Sequence, residues 1–179
     1  RLLAERAVAT QIRVDLPFAR KWPLTQPWGG NAQIYGTILY DDVPLKGHNG
    51  LDFGTPVNTP LLACDGGTVL RVDYEEGGFG HFVLLRHAWG ESLYAHLERI
   101  DVAHGATVAR GQQLGLSGNS GFSFGPHLHF GIRITPYRRT DGWGGFVNPL
   151  PFLRLEDFLA GRAVAYVDRA VARAGWVRP

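Results

Sequence analysis

The residues whose types and spacing can do chemistry cluster in Gly125-Pro126-His127-Leu128-His129-Phe130-Gly131-Ile132. Gly-Pro marks a turn, and the residues after it alternate as a strand does. Leu128, Phe130, Ile132 and Ile134 fall on one face, while His127, His129, Gly131 and Arg133 fall on the other. Two imidazoles therefore project side by side, with Gly131 predicted to leave open space next to them. One can ligate a metal while the other acts as a base towards whatever the metal holds. A pair of solvated strand histidines would have the same spacing, so the rest of the chain must decide.

A second stretch, Gly47-His48-Asn49-Gly50-Leu51-Asp52-Phe53-Gly54, places an imidazole and a carboxylate close in sequence. Gly50 and the following Gly-Thr-Pro argue against a helix and for a tight loop entering a short strand. Hydrolytic zinc sites take three protein ligands from His and Asp/Glu and keep a fourth position for water. His48, Asp52 and one histidine of the His-Leu-His run make such a set. A third stretch, Ser92-Leu93-Tyr94-Ala95-His96-Leu97, alternates as a strand with His96 on its polar face, where it could look into the same groove.

Taken together these residues resemble the lysostaphin/LytM-type zinc endopeptidases that cut peptidoglycan peptides. The matching pieces are HNGLDFGTPVNTPLLACDGGTV (48–69), LYAHL (93–97) and GATVARGQQLGLSGNSGFSFGPHLHFGI (105–132), in the order and spacing of that family. The resemblance implies one zinc per chain bound by His48, Asp52 and His129. It implies that His96 and His127 flank the water and the scissile carbonyl as acid/base groups. It also implies a tyrosine upstream of His48 that assists the substrate, with Tyr40 and Tyr35 as candidates. The expected substrate is the peptide cross-link of bacterial peptidoglycan, and the expected location is the cell envelope, periplasmic or extracellular.

The elements that must position these groups are short strands. Turn signals at Asp65-Gly66-Gly67, Glu76-Gly77-Gly78, Trp89-Gly90, His104-Gly105, Arg110-Gly111 and Gly118–Gly121 separate predicted strands over 60–64, 67–73, 81–87, 92–98, 106–109, 112–116 and 127–134. This spacing predicts a mainly β fold, an antiparallel β-sandwich or open barrel of the duplicated hybrid motif type. Residues 18–47 read as a loop, and 10–17 could enter the sheet. Helical periodicity over 153–160 and 162–174 predicts a C-terminal helical cap over 151–179, within the same domain as the 15–150 endopeptidase core. Residues 1–14 read as the tail of an upstream segment.

With 179 residues the chain can bury a real core. A formal charge of +2, spread over sixteen Arg and two Lys without clusters, gives no footprint for nucleic acid. No run approaches the ~20 apolar residues of a membrane span, and no signal peptide is visible. The chain starts at Arg1 and contains no Met, which is expected of a piece of something longer. Cys64, within an apolar run, reads as a core thiol, and His81, His87 and His104 read as solvated. A biotinyl- or lipoyl-type carrier has similar Gly-rich hairpins but needs a hairpin lysine, and Lys21 and Lys46 lie in the irregular N-terminal third. A latent or non-catalytic relative, acting with an inhibitory or activating partner, is the competing function. Such relatives usually lack a ligand or catalytic group, whereas all five positions are filled here.

Overall fold

The computed structural model describes residues 12–154. β8 (Gly90–Ile100) is the spine of the molecule and is buried from Gly90 through Leu97. It lies between β7 (Gly80–His87) on one side and, on the other, β11 (Leu128–Ile134) along its first half and β10 (Gln113–Ser117) along its second. Outward from β11 come β4 (Leu51–Phe53) and β1 (Leu24–Gln26). Outward from β7 come β6 (Gly67–Glu75) and β9 (Thr107–Val108), while β5 (Pro60–Leu62) flanks β10. Every ladder in this nine-stranded sheet is antiparallel, and the sheet does not close into a barrel. A small hairpin, β2 (Leu39–Tyr40) with β3 (Val43–Pro44), stands apart from it.

The strands form because apolar residues alternate along them, and each face finds its own cover. One face carries the main core, in which Leu51, Phe53, Leu85, Tyr94, Leu128, Phe130 and Ile132 are fully buried. Each such side chain contributes about 1.5–3 kcal/mol on transfer from water. The opposite face is covered by a smaller cluster of Phe82, Leu93, Ala95 and Phe146. Cys64 is fully buried, as expected of a core thiol, and burial pushes it up to about 11.

Several expectations are corrected. Residues 18–47 are not merely a loop. They supply β1, the short helix α1 (Ala32–Tyr35) and the β2–β3 hairpin, which the many Pro and Gly residues concealed. The space beside Gly131 is filled, because the chain returns so that Val147 bridges Ile132 and Phe146 lies over the glycine; a Cβ there would come within 2.9 Å of the ring. Arg133 is buried under the same return, bound to Glu91 at 2.9 Å, to the Gly144 carbonyl and to the Tyr40 hydroxyl. His87 is not solvated. It is buried, bonded to Ser92 Oγ at 2.7 Å and to the Gly66 carbonyl, and stacked on Trp89. His81 and His104 are exposed, as expected. Of the N-terminal stretch, Val14 makes one parallel bridge to Leu153. The helices expected beyond Arg154 and the tail before Ile12 lie outside the described residues.

Removing one partner of a buried ion pair strands the other charge and costs about 3–5 kcal/mol. Glu91→Ala should therefore destabilise the zinc-free protein by about that amount in denaturant unfolding, well beyond the ~0–1 kcal/mol of a surface pair. The exposed pair Arg99–Asp101 is the control.

Candidate metal centre

Strand pairing brings the first two donors together. In the β4–β11 ladder Asp52 lies directly opposite His129, so a carboxylate and an imidazole meet across neighbouring strands. His48 arrives from the loop before β4 and is held from outside. Its amide donates to the Gly30 carbonyl, its carbonyl accepts from the Gly29 amide, and its ring Nδ1 lies 3.1 Å from the Pro27 carbonyl. β1 positions that support, since Gln26 pairs with Asp52.

Three atoms then converge. His48 Nε2 lies 2.9 Å from His129 Nδ1 and 3.0 Å from Asp52 Oδ1, and His129 Nδ1 lies 3.0 Å from the same oxygen. All three residues are buried. Ligands on a tetrahedral zinc sit roughly 3.3 Å apart, from bond lengths of about 2.0–2.1 Å, and this triangle is within a few tenths of an ångström of that. Because a carbonyl can only accept, His48 Nδ1 carries hydrogen and Nε2 points inward. A proton at the centre would satisfy at most two of the three atoms, whereas a metal ion satisfies all three. The residues present therefore fit a zinc ion. Burial works to raise Asp52, but His48 and His129 outweigh it and hold the carboxyl well below the usual carboxylate range. His129 is pushed down by burial, which favours its neutral, ligating form. Its Nε2 is buried without a partner among the described residues, packed where a Cβ on Gly50 would come within 2.7 Å.

Two further imidazoles stand beside the triangle. His127 sits just before β11, its Nε2 3.7 Å from Asp52 Oδ2 and its Nδ1 2.8 Å from the Gly125 carbonyl. His96 comes from β8, with its ring centre 4.5 Å from that of His127 and its Nδ1 2.8 Å from the Ser120 carbonyl. Burial, together with His129 and His127, pushes His96 down to about 3, so it is neutral at ordinary pH. Of the two tyrosines, Tyr35 packs its ring 5.3 Å from that of His48 and accepts a hydrogen bond from Gln26 Nε2. Burial and the charge of Asp52 raise Tyr35 to about 12, so it keeps its proton. Tyr40 lies farther along the cleft, its hydroxyl taken by Arg133.

The cleft runs through the centre in two arms that share Tyr35, His96, Phe122 and His129. One arm, about 830 Å³, is walled by Ile38, Leu39, Tyr40, Leu45 and Phe79. The other, about 990 Å³, sets polar groups of Thr25, Gln26, Asn31 and Ser123 beside apolar Ile34, Phe124 and Pro126. Sequence reasoning missed the supports: Pro27, Ser120 and Gly125 act through backbone carbonyls, which leave no signature in residue type.

A neutral His96 has a sharp signature. In histidine NMR titrations of the zinc-free protein its ring should stay at neutral-form shifts from pH 8 to pH 5, since a histidine with a lowered pKa gains its proton only in stronger acid. A midpoint near the ordinary ~6.5 would contradict this description.

Comparison with known proteins agrees with the geometry. The chain is 41% identical over 107 residues to an uncharacterized metalloprotease of Haemophilus influenzae, covering 59% of this chain and 21% of that protein. It is 33% identical over 129 residues to the peptidoglycan DD-endopeptidase ShyA of Vibrio cholerae, covering 70% and 29%. The chain thus spans less than a third of the length of either relative. Among solved structures it resembles the antimicrobial peptidase lysostaphin from Staphylococcus simulans, with TM-score 0.64 and 25% identity over 80% of this chain and 54% of that one. It also resembles a zinc containing peptidase from Vibrio cholerae, with TM-score 0.56 and 28% identity over 66% and 36%. Residues 46–141, more than half of the chain, match the model of Peptidase family M23. That stretch contains the whole donor triangle and both flanking histidines, and the chain belongs to this family.

Proposed function

We propose that the chain is a zinc metalloendopeptidase domain that hydrolyses peptide bonds in the cross-links of bacterial peptidoglycan, acting in the cell envelope. The observation that carries this reading is the buried triangle of His48 Nε2, Asp52 Oδ1 and His129 Nδ1, with two further imidazoles beside it in an open cleft. Relatives named as peptidoglycan DD-endopeptidases support the substrate, and the zinc containing peptidase supports the metal.

His48, Asp52 and His129 would hold one zinc ion, which would supply Lewis acidity at the scissile carbonyl and lower the pKa of a water towards ~7. The remaining steps fall to the chain's own groups. His127, with Nδ1 against the Gly125 carbonyl, presents an Nε2 lone pair that takes the proton of the attacking water and hands it to the leaving amine. His96, neutral and with Nδ1 tied to the Ser120 carbonyl, also presents a lone pair at Nε2. It can orient the water by accepting its hydrogen bond; in this state it has no proton at Nε2 to donate to an oxyanion. Tyr35 does have one, because its oxygen accepts from Gln26 and its hydroxyl stays protonated. It is the better donor to the developing negative charge.

His127→Ala and His129→Ala should fail differently on purified sacculi. Loss of His129 removes one of three ligands, and zinc and activity should go together. Loss of His127 should leave about one zinc per chain while turnover falls by ~10²–10⁴-fold, the usual share of a positioned acid or base. If His127→Ala loses its metal and His129→Ala keeps it, the two roles are inverted. If neither variant loses activity, the cleft is not the active site.

A further inference from the structure

His96 reaches the cleft only because β8 is distorted around it. In the β7–β8 ladder His81 pairs with Leu97 and Val83 with Tyr94, so Ala95 and His96 together oppose Phe82. This is a β-bulge, which re-aims a side chain at the expense of local pairing. At the same point β8 ends its pairing with β11 at Ala95 and starts pairing with β10 at Leu97. His96 has φ +64°, a left-handed conformation that costs a residue with a side chain about 1–3 kcal/mol. Its amide leaves the β7 ladder and donates to the Phe79 carbonyl at 2.8 Å.

Ser120 fills the gap this makes. Its hydroxyl accepts from the His81 amide at 3.0 Å and donates to the Leu97 carbonyl at 2.7 Å, bridging β7 and β8 where the bulge separates them. Its own carbonyl then lies 2.8 Å from His96 Nδ1. The contact is tight from both sides. A Cβ on Gly80 would come 2.4 Å from the Ser120 carbonyl carbon, and one on Gly121 would come 2.2 Å from the Gly80 amide, both at positive φ. One residue thus closes the ladder with its side chain and grips the imidazole with its backbone.

We propose that Ser120 is a positioning residue for His96: its hydroxyl locks the bulge so that its carbonyl fixes the Nδ1–H tautomer and turns the Nε2 lone pair into the cleft. This rests on the proposed role of His96 in hydrolysis. Ring orientation set by an outer acceptor matters because displacement of a reacting group by about 1 Å can cost ~10²-fold in rate.

The test compares wild type, Ser120→Ala and Ser120→Thr. In long-range proton–nitrogen NMR of the zinc-free wild type, His96 should be a single Nδ1–H tautomer; an Nε2–H tautomer there overturns the proposal whatever the variants do. Ser120→Ala should show mixed or broadened His96 ring signals. With zinc loaded, its kcat on sacculi should fall about 10–100-fold, with KM within about twofold and zinc content unchanged. Ser120→Thr, which keeps the hydroxyl, should recover most of the kcat. Wild-type kcat in Ser120→Ala, or a loss that merely tracks its folded fraction and is not recovered in Ser120→Thr, overturns the proposal. If wild-type protein cuts no sacculi at all, the peptidase reading fails, and the tautomer comparison still decides the positioning role.

Discussion

Three electron-rich atoms meeting at one buried point is the constraint on which the rest of the structure depends. A carboxylate oxygen and two imidazole nitrogens lie 2.9–3.0 Å apart, on largely buried side chains at the floor of the cleft. Left without positive charge at their centre they would repel, and burying the ionised Asp52 would be costly. The fold holds them there: β1 props β4, the Pro27–Gly30 segment grips His48, and Gly50 has no side chain where His129 must pack. Such a concentration of unfavourable local choices is what a binding site costs the fold.

The imidazoles obey a common rule with one exception. His48, His96 and His127 each place Nδ1 within 3.1 Å of a backbone carbonyl, of Pro27, Ser120 and Gly125 respectively, and so each presents Nε2 as a lone pair. His129 is reversed. It offers Nδ1 inward, to the triangle, and its Nε2 is packed away without an acceptor. The difference follows from position. His129 lies within β11, directly across from Asp52, whereas the other three sit outside regular strand pairing or at a bulge, where backbone carbonyls outside the ladders are within reach. Backbone carbonyls are suited to this task because they can only accept, so the tautomer is decided wherever the ring touches one.

How much of this was legible in the sequence depended on range. The short strands and the antiparallel class follow from local alternation and turn spacing. The set of His48, Asp52, His129, His96 and His127 was implied by the family resemblance, and alternation alone would turn His96 with Tyr94 away from the cleft, which it enters only through the bulge in β8. The pairing of Asp52 with His129 also agrees with that reading, although no local pattern fixes the register across a separation of 77 residues. What was illegible came from segments folding over others. Gly131 promised an open pocket, but Phe146 returns to fill it, and the same return buries Arg133. His87 reads as a strand-end histidine until Ser92 and Trp89 close around it. Residues 18–47, rich in Pro and Gly, read as irregular because their strands are only two or three residues long, β1 taking its order from β4 and β2 and β3 pairing only with each other. Carbonyl supports such as Pro27 and Ser120 have no side-chain signature at all.

The central claim is that the triangle exists for a metal. The most direct measurement is calorimetric titration of chelator-treated protein with zinc, with elemental analysis of the product. The account predicts one zinc per chain, bound tightly, with affinity reduced by orders of magnitude in Asp52→Asn, because a neutral amide is a poor ligand for the ion. Absence of zinc uptake by the folded protein, or uptake that survives unchanged in Asp52→Asn, would contradict it.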